Sequence, residues 1–549
     1  MCHDQFVIQA RRILAVVALS SMAACTATLK KSTVNATKPS AYVLAARQFA
    51  REAASESRSD LSSRAWLQCA SAAYLALNSA GRDQEASSLG AMCTDKLMQL
   101  LLTDAKHRWT STTLDLAGLP LTVELRDLSP SLTGPIQLVH ASSVALPSSI
   151  KSRAATAGFG VPLVAVTARC TNRPICKLYP AEGVFRPATA WVEESSGGKA
   201  HLVVTDPTAH PNILIDDKAY PLAIDLTAPY ALLLDSSRLN RFALWNLIGG
   251  TRIGALQGLY LLQDYDPAKT PIIMIHGLGA SPLIWARLTN RILESPDLRA
   301  RYQIWHVIYQ TNAPVLVNRL RVQEFLDSSW NILDPTKMDP SRHGIVLIGH
   351  SMGGVVARLL TADSGDVLWN AMSTDPFDHI RGDAADLTAI HKVLFFKPYE
   401  GVTKAIFLAS PHLGSPLSDD FIGRLAMRIV MPKGPELDAL RRIMSVNAPR
   451  MRSDLLADYR KDGVSSISTL SANQPVSRAA QSLMPAAGIR YYTIAGDLPG
   501  AKQRGDGVVP LASAILRGAA STTIVISGHQ VYDNDKAISR VVTILDEHP

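Results

Sequence analysis

The chain has 549 residues, of which 47% are hydrophobic and 19% are charged. This composition supplies apolar side chains for a large core and excludes disorder, and the 33 glycines and 32 prolines follow no collagen-like or low-complexity pattern. Lys and Arg outnumber Asp and Glu by 55 to 47, but the basic residues are dispersed. Nucleic acid is therefore not an expected partner, and at most a weak attraction to anionic membranes follows. At roughly 100–200 residues per domain, the length predicts two to four domains.

Residues 1–24 have the layout of an export signal peptide. Arg11 and Arg12 precede an apolar run, Ile13 to Ala24, that is too short to span a bilayer. The run ends in Met22-Ala23-Ala24-Cys25, which resembles the lipobox of bacterial lipoproteins, where the cysteine becomes the lipidated first residue of the mature chain. The alternative is an ordinary secretory signal with a nearby free cysteine.

Residues 25–40 are interpreted as a polar tether. By resemblance to Gram-negative lipoproteins, Thr26 after the cysteine, in place of Asp, favours the outer membrane, with the protein facing the periplasm. No later segment approaches 18 uninterrupted apolar residues. The sequence therefore predicts a membrane anchor made of lipid rather than of a spanning helix.

The cysteine count agrees with export. Of six cysteines, Cys2 would leave with the signal and Cys25 would carry lipid, which leaves four. An even number in an oxidising compartment indicates two disulfides, and the spacing does not match a CxxC zinc pattern, so no metal site is predicted. We expect the pairs Cys69–Cys93 and Cys170–Cys176, the second closing a short loop around Pro174.

Residues 41–110 are predicted to form a helical hairpin domain. Apolar residues recur there at helical spacing: Trp66, Ala70, Ala73, Tyr74 and Leu77. Gly81 marks a turn between two helices, and Cys69 and Cys93 lie about equally far from it. This is the placement that a disulfide between antiparallel helices requires.

Residues 111–235 are predicted to form an antiparallel β domain. Short runs such as Leu121 to Leu125 and Leu163 to Thr167 are broken by clusters of Pro, Gly, Asn and Asp. No catalytic constellation is recognisable in this region, so a scaffold or a protein-binding role is the default interpretation.

Residues 236–549 show an alternation of strands and helices. The predicted strands are Pro271 to Ile275, Ile345 to Ile348, Thr403 to Leu408, Tyr491 to Ala495 and Thr522 to Ile526. Near-continuous apolar strands joined by long crossovers indicate a mostly parallel sheet with helices on both faces.

The strongest chemical signal is Gly349-His350-Ser351-Met352-Gly353-Gly354. It follows the predicted strand Ile345 to Ile348 and precedes a helical pattern, which is the strand–turn–helix context in which G-x-S-x-G carries a nucleophile. Gly349 and Gly353 leave room for the backbone in this sharp turn. Ser351 is therefore the predicted nucleophile.

A second glycine-rich turn, His276-Gly277-Leu278-Gly279, follows the strand before it. Such a turn supplies one backbone N–H group to an oxyanion hole, and the residue after the nucleophile supplies the other. We expect Leu278 and Met352 to be these donors. His276 is interpreted as a hydrogen-bonded structural residue, and His350 as a wall of the site.

The base and the acid are predicted at the end of the chain. A serine hydroxyl needs a base, and an imidazole needs a carboxylate that fixes its tautomer. His529 follows the strand Thr522 to Ile526, and Asp506 lies in Gly505-Asp506-Gly507, which gives the order Ser, Asp, His. Asp497, which also follows an apolar strand, is the rival acid.

These motifs, together with Ser410-Pro411-His412-Leu413-Gly414-Ser415, make residues 236–549 resemble bacterial lipase/esterase-like members of the α/β-hydrolase superfamily. The resemblance implies an α/β-hydrolase fold that needs no cofactor. In lipases the Pro-His-x-Gly-Ser segment borders the acyl site, so His412 either lines the pocket or is a turn residue. Some such lipases bind calcium through an Asp two residues after the catalytic histidine, where this chain has Val531, so calcium is not expected.

A cap insertion is predicted at about residues 416–488, since the connection before Tyr491 is far longer than usual. It carries apolar stripes at helical spacing: Phe421, Ile422, Leu425, Ile429 and Val430, then Leu437, Leu440, Ile443 and Met444. Either the stripes line an acyl pocket or they pack permanently on the sheet. In the first case we expect Arg441, Arg442, Arg450 and Arg452 to be solvated or to meet anionic lipid head groups.

Three functions are consistent with the sequence. The leading one is a serine carboxylester hydrolase (an esterase or lipase) that acts on apolar acyl esters through an acyl-enzyme. An acyltransferase would use the same residues. The third is an envelope lipoprotein that binds a protein partner through residues 41–235 and carries an auxiliary hydrolase domain.

Overall fold

The computed structural model describes residues 40–80, 84–195, 198–237, 256–414, 434–453, 475–501 and 503–547. The signal peptide, the tether with Cys25, and the stripe Phe421 to Val430 lie outside these residues. No helix within these ranges is both long enough and apolar enough to cross a membrane.

The N-terminal part begins with three helices: α1 (Ala41–Ser55), α2 (Ser59–Ala80) and α3 (Gln84–Leu101). The predicted hairpin has two helices, whereas the structure has three, because a break at residues 56–58 separates α1 from α2. Cys69 on α2 and Cys93 on α3 form a disulfide, with the Cα atoms 5.8 Å apart.

A six-stranded sheet follows, in the order β1-β2-β7-β6-β5-β3. Its strands are β1 (Thr112–Leu116), β2 (Leu119–Leu125), β3 (Gln137–His140), β5 (Val161–Thr167), β6 (Val184–Glu194) and β7 (Ala200–Thr205). All neighbours are antiparallel except β2 and β7, which are parallel. The short strands β4 (Ala155–Thr156) and β10 (Ile224–Asp225) pair with each other, as do β8 (Asn212–Ile215) and β9 (Lys218–Pro221).

The helices and this sheet are one packing unit rather than two domains. Leu67 of α2, Leu97 of α3 and Leu163 of β5 belong to a single buried cluster. The opposite face of the sheet, around Val164 and Phe185, is covered by α4 (Thr227–Ser236). The expectation of a separate helical domain is therefore corrected. The helices have one apolar face, and they bury that face against the sheet.

The C-terminal part contains a seven-stranded sheet in the order β11-β13-β12-β14-β15-β16-β17. Its strands are β11 (Gly258–Leu261), β12 (Thr270–Ile275), β13 (Tyr302–Ile308), β14 (Ile345–His350), β15 (Val402–Leu408), β16 (Arg490–Gly496) and β17 (Ser521–Val525). Only β11 runs antiparallel to its neighbour. The prediction of a mostly parallel sheet is confirmed. The structure adds two strands that were not predicted, β11 and β13.

Helices cover both faces of this sheet. On one face lie α7 (Val315–Leu333), α8 (Met352–Leu360) and α10 (Ala384–Leu394), and on the other α5 (Ala286–Glu294) and α14 (Asp535–Asp546). The remaining helices are α6 (Pro296–Arg301), α9 (Val367–Asn370), α11 (Pro435–Val446), α12 (Pro475–Ser482) and α13 (Leu511–Ala514).

The two parts of the chain contact each other through a disulfide-closed loop. Cys170 and Cys176 are bonded, and the turn Pro174–Leu178, which contains Cys176, packs against α7 and β11. Next to it, the buried guanidinium of Arg186 lies 2.9 Å from the carboxylate of Asp264. Leu178 and Tyr179 thus belong to the same buried cluster as the sheet of the C-terminal part.

Candidate active site

Ser351 lies in a sharp turn between β14 and α8. Its φ is +55° and its ψ is −126°, a conformation that a non-glycine residue adopts only when its surroundings impose it. A Cβ atom at Gly349 would lie 2.4 Å from the carbonyl oxygen of Gly353, and one at Gly353 would lie 2.2 Å from that of Ile275. The two glycines therefore let the backbones of β12, β14 and α8 come into contact, which holds the serine at the carboxyl end of the central strand β14.

His529 lies between Ser351 and Asp506. Its Nε2 is 3.0 Å from the Oγ of Ser351, and its Nδ1 is 2.8 Å from an Oδ of Asp506. A carboxylate only accepts hydrogen bonds, so Nδ1 carries the proton and Nε2 is free to accept the serine proton. The structure thus brings together three residues that are up to 178 positions apart in the chain.

Asp506 is buried and held by its own turn. Its second carboxylate oxygen accepts hydrogen bonds from the N–H groups of Val508 and Val509, at 2.8 and 2.6 Å. Gly505 and Gly507 flank it with φ values of +147° and +85°, in the region that favours glycine. These contacts fix the carboxylate toward His529.

Asp497, the rival acid, has a different role. Its carboxylate pairs with Arg504 at 2.7 Å and accepts a hydrogen bond from the N–H group of Gly505 at 3.1 Å. The pairing with Arg504 lowers the pKa of Asp497. This side chain therefore anchors the loop that carries Asp506 rather than contacting His529.

The turn at Gly277 faces the nucleophile. A Cβ atom at Gly277 would lie 2.9 Å from the Cβ of Ser351, so only glycine fits this approach. The turn is held on both sides: the hydroxyl of Tyr309 donates to the carbonyl of His276 at 2.7 Å, and the N–H group of Gly279 donates to Thr311 at 3.2 Å. Leu278 follows Gly277 in this turn, and Met352 follows Ser351 at the first position of α8.

Three further histidines surround this turn. His276 is fully buried and stacks on Tyr309 with ring centroids 4.7 Å apart, and burial lowers its pKa to about 4. The Nε2 of His350 is 2.9 Å from the carbonyl oxygen of His529. His412 is buried against Phe407, and burial lowers its pKa well below the usual range. None of the three rings lies between Ser351 and Asp506.

His412 lines a small cavity beside the nucleophile helix. The other residues that line it are mostly apolar and come from α7, α8 and α12, among them Leu316, Val355, Leu359, Val476 and Ala480. His412 is thus both a turn residue and a cavity residue. The cavity joins the nucleophile helix to the second described part of the predicted cap.

The first described part of the predicted cap is a packed layer. Ile443 and Met444 of α11 are buried, and α11 packs against α10. Three of the four cap arginines (Arg441, Arg442 and Arg452) are exposed to solvent, as expected, and Arg450 is half-buried. Each contacts the protein itself: Arg441 with Asp438, Arg442 with Asp386, Arg450 with Asp375 and Arg452 with the carbonyl of Asn370.

Sequence reasoning missed Tyr309 and Thr311, which hold the turn at Gly277. Both follow β13, a strand that it did not predict because Gln303 and His306 interrupt the apolar run. The amide of Gln303 donates to the carbonyls of Asp266 and Lys269, which satisfies a buried polar side chain. Among the residues that the structure describes, no group of three His, Cys, Asp or Glu side chains could hold a metal ion.

Comparison with known proteins agrees with this geometry. Residues 272–501 match the sequence model of the alpha/beta hydrolase family. Together with the sheet order and the nucleophile turn, this match shows that the C-terminal part of the chain has an α/β-hydrolase fold.

Several solved structures are similar to the chain. Mature lipase BlEst2 from Bacillus licheniformis shares 17% identity over 51% of this chain and 93% of the lipase, with a TM-score of 0.27. Lipase 1 from Pelosinus fermentans shares 13% identity over 51% of this chain and 98% of the lipase, with a TM-score of 0.30. The butyrate-bound esterase Est2 from Thermogutta terrifontis shares 13% identity over 52% of this chain and 87% of the esterase, with a TM-score of 0.25. No curated protein matches the chain.

The two acids give a direct test of the site. Asp506→Asn should slow the labelling of Ser351 by a fluorophosphonate by about 10⁴-fold, because an amide favours the wrong imidazole tautomer. Asp497→Asn, the matched control, should label far faster than Asp506→Asn, since Asp497 does not contact His529 and an asparagine oxygen can still accept from the N–H group of Gly505. The rates can be followed by mass spectrometry of folded protein. If Asp497→Asn were labelled slowly and Asp506→Asn at the native rate, the assignment of Asp506 as the catalytic acid would be wrong.

The buried histidines predict how stability depends on pH. Burial lowers the pKa of His276 to about 4 and that of His306 to about 3, so both stay neutral in the folded state while the unfolded chain takes up protons below about pH 6.5. Because the unfolded state then binds more protons, the free energy of unfolding should fall as pH falls from about 6.5 toward 4.

A variant isolates the contribution of one histidine. His306→Gln should reduce the slope of unfolding free energy against pH by about 1.4 kcal/mol per pH unit, which corresponds to one proton. Met274→Leu, a nearby buried substitution without a titratable group, should leave the slope unchanged. Denaturant unfolding at several pH values measures both, and an unchanged slope in His306→Gln would contradict the prediction.

Proposed function

We propose that the protein is a serine carboxylester hydrolase. The observation that supports this most directly is the position of the His529 ring, with one nitrogen at the hydroxyl of Ser351 and the other at the buried carboxylate of Asp506. A serine hydroxyl is a weak nucleophile until a base can remove its proton, and this arrangement supplies the base in the correct tautomer.

The proposed reaction has two halves. In the first, the Oγ of Ser351 attacks the ester carbonyl while His529 accepts its proton, and the protonated ring then donates that proton to the departing alcohol. In the second, water attacks the acyl-serine with His529 again as base, and the acid is released. The N–H groups of Leu278 and Met352 are the proposed donors to the negative oxygen in both halves.

We propose that the acyl group is apolar. Most of the wall of the cavity beside the nucleophile helix is apolar, although Arg358, His412, Ser477 and Gln481 also line it. The guanidinium of Arg358 is already hydrogen-bonded to the carbonyls of Gln481 and Leu483. The cavity has a volume of about 30 Å³, so it has room only for the end of an acyl chain. Each methylene group buried there would gain about 0.8 kcal/mol from leaving water.

An ester panel tests the reaction and the substrate class together. Activity should rise with acyl length from acetate to medium-chain esters, and the corresponding amides should be cleaved more slowly. Ser351→Ala should lose about 10⁵-fold or more in kcat, and adding His529→Ala should cost little more, because the residues act as a unit.

The same experiment separates the alternatives. A competing alcohol that captures most of the acyl group would favour an acyltransferase over a hydrolase. Native protein that neither turns over esters nor reacts with a fluorophosphonate would contradict catalysis and favour a binding role for residues 41–235. Activity that stays flat with acyl length would contradict an apolar acyl site.

We also propose that the protein is a lipoprotein of the outer membrane, facing the periplasm. The lipobox-like sequence ending in Cys25 and the two disulfides support this. Cys25→Ser should leave the chain unprocessed or without lipid, and it should shift from the membrane to the soluble fraction, as measured by mass spectrometry and fractionation. Normal processing and membrane partition of Cys25→Ser would contradict the proposal, and Cys2→Ser is the matched control.

A further inference from the structure

His350 links the nucleophile turn to the loop that carries the catalytic base. It is the last residue of β14 and directly precedes Ser351. Its Nε2 lies 2.9 Å from the backbone carbonyl oxygen of His529, and its ring lies 4.9 Å from the His529 ring between centroids. On another side, the ring of Tyr532 packs edge-on against it at 4.8 Å.

The contact defines which nitrogen of His350 carries the proton. A carbonyl oxygen can only accept, so Nε2–H is the donor and Nδ1 is unprotonated. Nδ1 is buried and has no hydrogen-bond partner within the described residues. Burial and the nearby His529 hold the pKa of His350 well below its usual range, so this ring stays uncharged when His529 becomes an imidazolium. His350 therefore keeps its Nε2 proton and does not act as an acid or a base in the proposed reaction.

The backbone carbonyl of His529 is held by this hydrogen bond. Within the described residues, the carbonyl of His529 has a single hydrogen-bond donor, His350. The loop follows β17, the last strand at one edge of the sheet, whereas His350 belongs to the central strand β14. The side chain of His350 thus ties the edge loop to the rigid centre of the sheet, one residue away from the nucleophile.

We propose that His350 is a positioning residue, which sets the distance between His529 and Ser351 through its hydrogen bond to the His529 backbone. The proposal rests on the proposed function, because it assigns to His350 a role in the same proton transfer. A displacement of the base by about 1 Å can cost about 100-fold in rate, so one fixed backbone contact is enough to matter.

Three substitutions test this role. In His350→Gln, the side-chain amide nitrogen lies as many bonds from the Cα as Nε2 does, so it can still donate to His529. In His350→Asn, the amide is one bond shorter and ends at the position of Nδ1. His350→Phe keeps a ring and removes every donor.

We expect His350→Phe and His350→Asn to lose about 10- to 100-fold in kcat on the best ester of the panel. KM should change little, because the contact acts on the base and not on the substrate. His350→Gln should recover most of the loss. The rate of labelling by a fluorophosphonate should follow the same order, because it also depends on the serine proton reaching His529.

A merely structural role would give a different pattern. The melting temperatures of the three variants should be compared with that of Ile544→Val, a core substitution on α14 away from the site that lowers stability without touching the triad. A fall in kcat that tracks melting temperature across all four variants would overturn the proposal, as would native kcat in both His350→Phe and His350→Asn. Should His350→Phe not fold, the contrast between His350→Gln and His350→Asn decides alone.

The outcome also separates this inference from the proposed function. If native protein is inactive or Ser351→Ala keeps its activity, the proposed hydrolase itself is wrong. If native protein hydrolyses esters through Ser351 and the His350 variants match it, only the positioning role is wrong.

Discussion

The close approach of three backbone segments at Ser351 is the constraint on which the rest of the site depends. The end of β12, the end of β14 and the start of α8 come within distances that exclude any Cβ atom at Gly349 and Gly353. This contact forces Ser351 into a positive φ and presents its hydroxyl outward. The long apolar strands on either side, buried on both faces, hold that strained turn in place.

Hydrogen bonds hold the polar groups and the turn around the serine in place. Asp506 is fixed by two N–H groups of its own turn, and the loop before it is anchored by Asp497. The turn at Gly277 is fixed by Tyr309 and Thr311. Such contacts matter because a serine hydrolase gains rate from groups that already point at the developing charge, without rearrangement during the reaction.

Burial also lowers the pKa of the histidines that lie outside the triad. His276, His306, His350 and His412 lie in surroundings that disfavour a charged ring, so each has a lowered pKa. Near the site this keeps His529 as the single ring placed to gain and lose a proton between Ser351 and Asp506. The cost is a fold that becomes less stable as the solution becomes acidic.

The sequence alone determined the parts that depend on local pattern. Apolar strands followed by glycine turns predicted the parallel sheet, and the flanks of Gly349 to Gly354 predicted a serine at a sharp turn, because these features are set by neighbouring residues. Chain order predicted the rest of the triad, and helix and loop spacing predicted both cysteine pairs. It predicted Asp506 as the acid but left Asp497 as the rival, since both lie in the loop after the same apolar strand, Tyr491 to Ala495.

Only the tertiary structure decided what depends on contacts between distant segments. It placed Asp506 at His529 and Asp497 at Arg504, joined the N-terminal helices and strands in one core, and paired the cap arginines with nearby carboxylates or a backbone carbonyl. It also recovered β13, whose Gln303 and His306 look unlike strand residues until their buried surroundings are known. The hydrogen bond from His350 to His529 spans 179 residues, and no local pattern encodes a contact that exists only once both ends of the sheet are assembled.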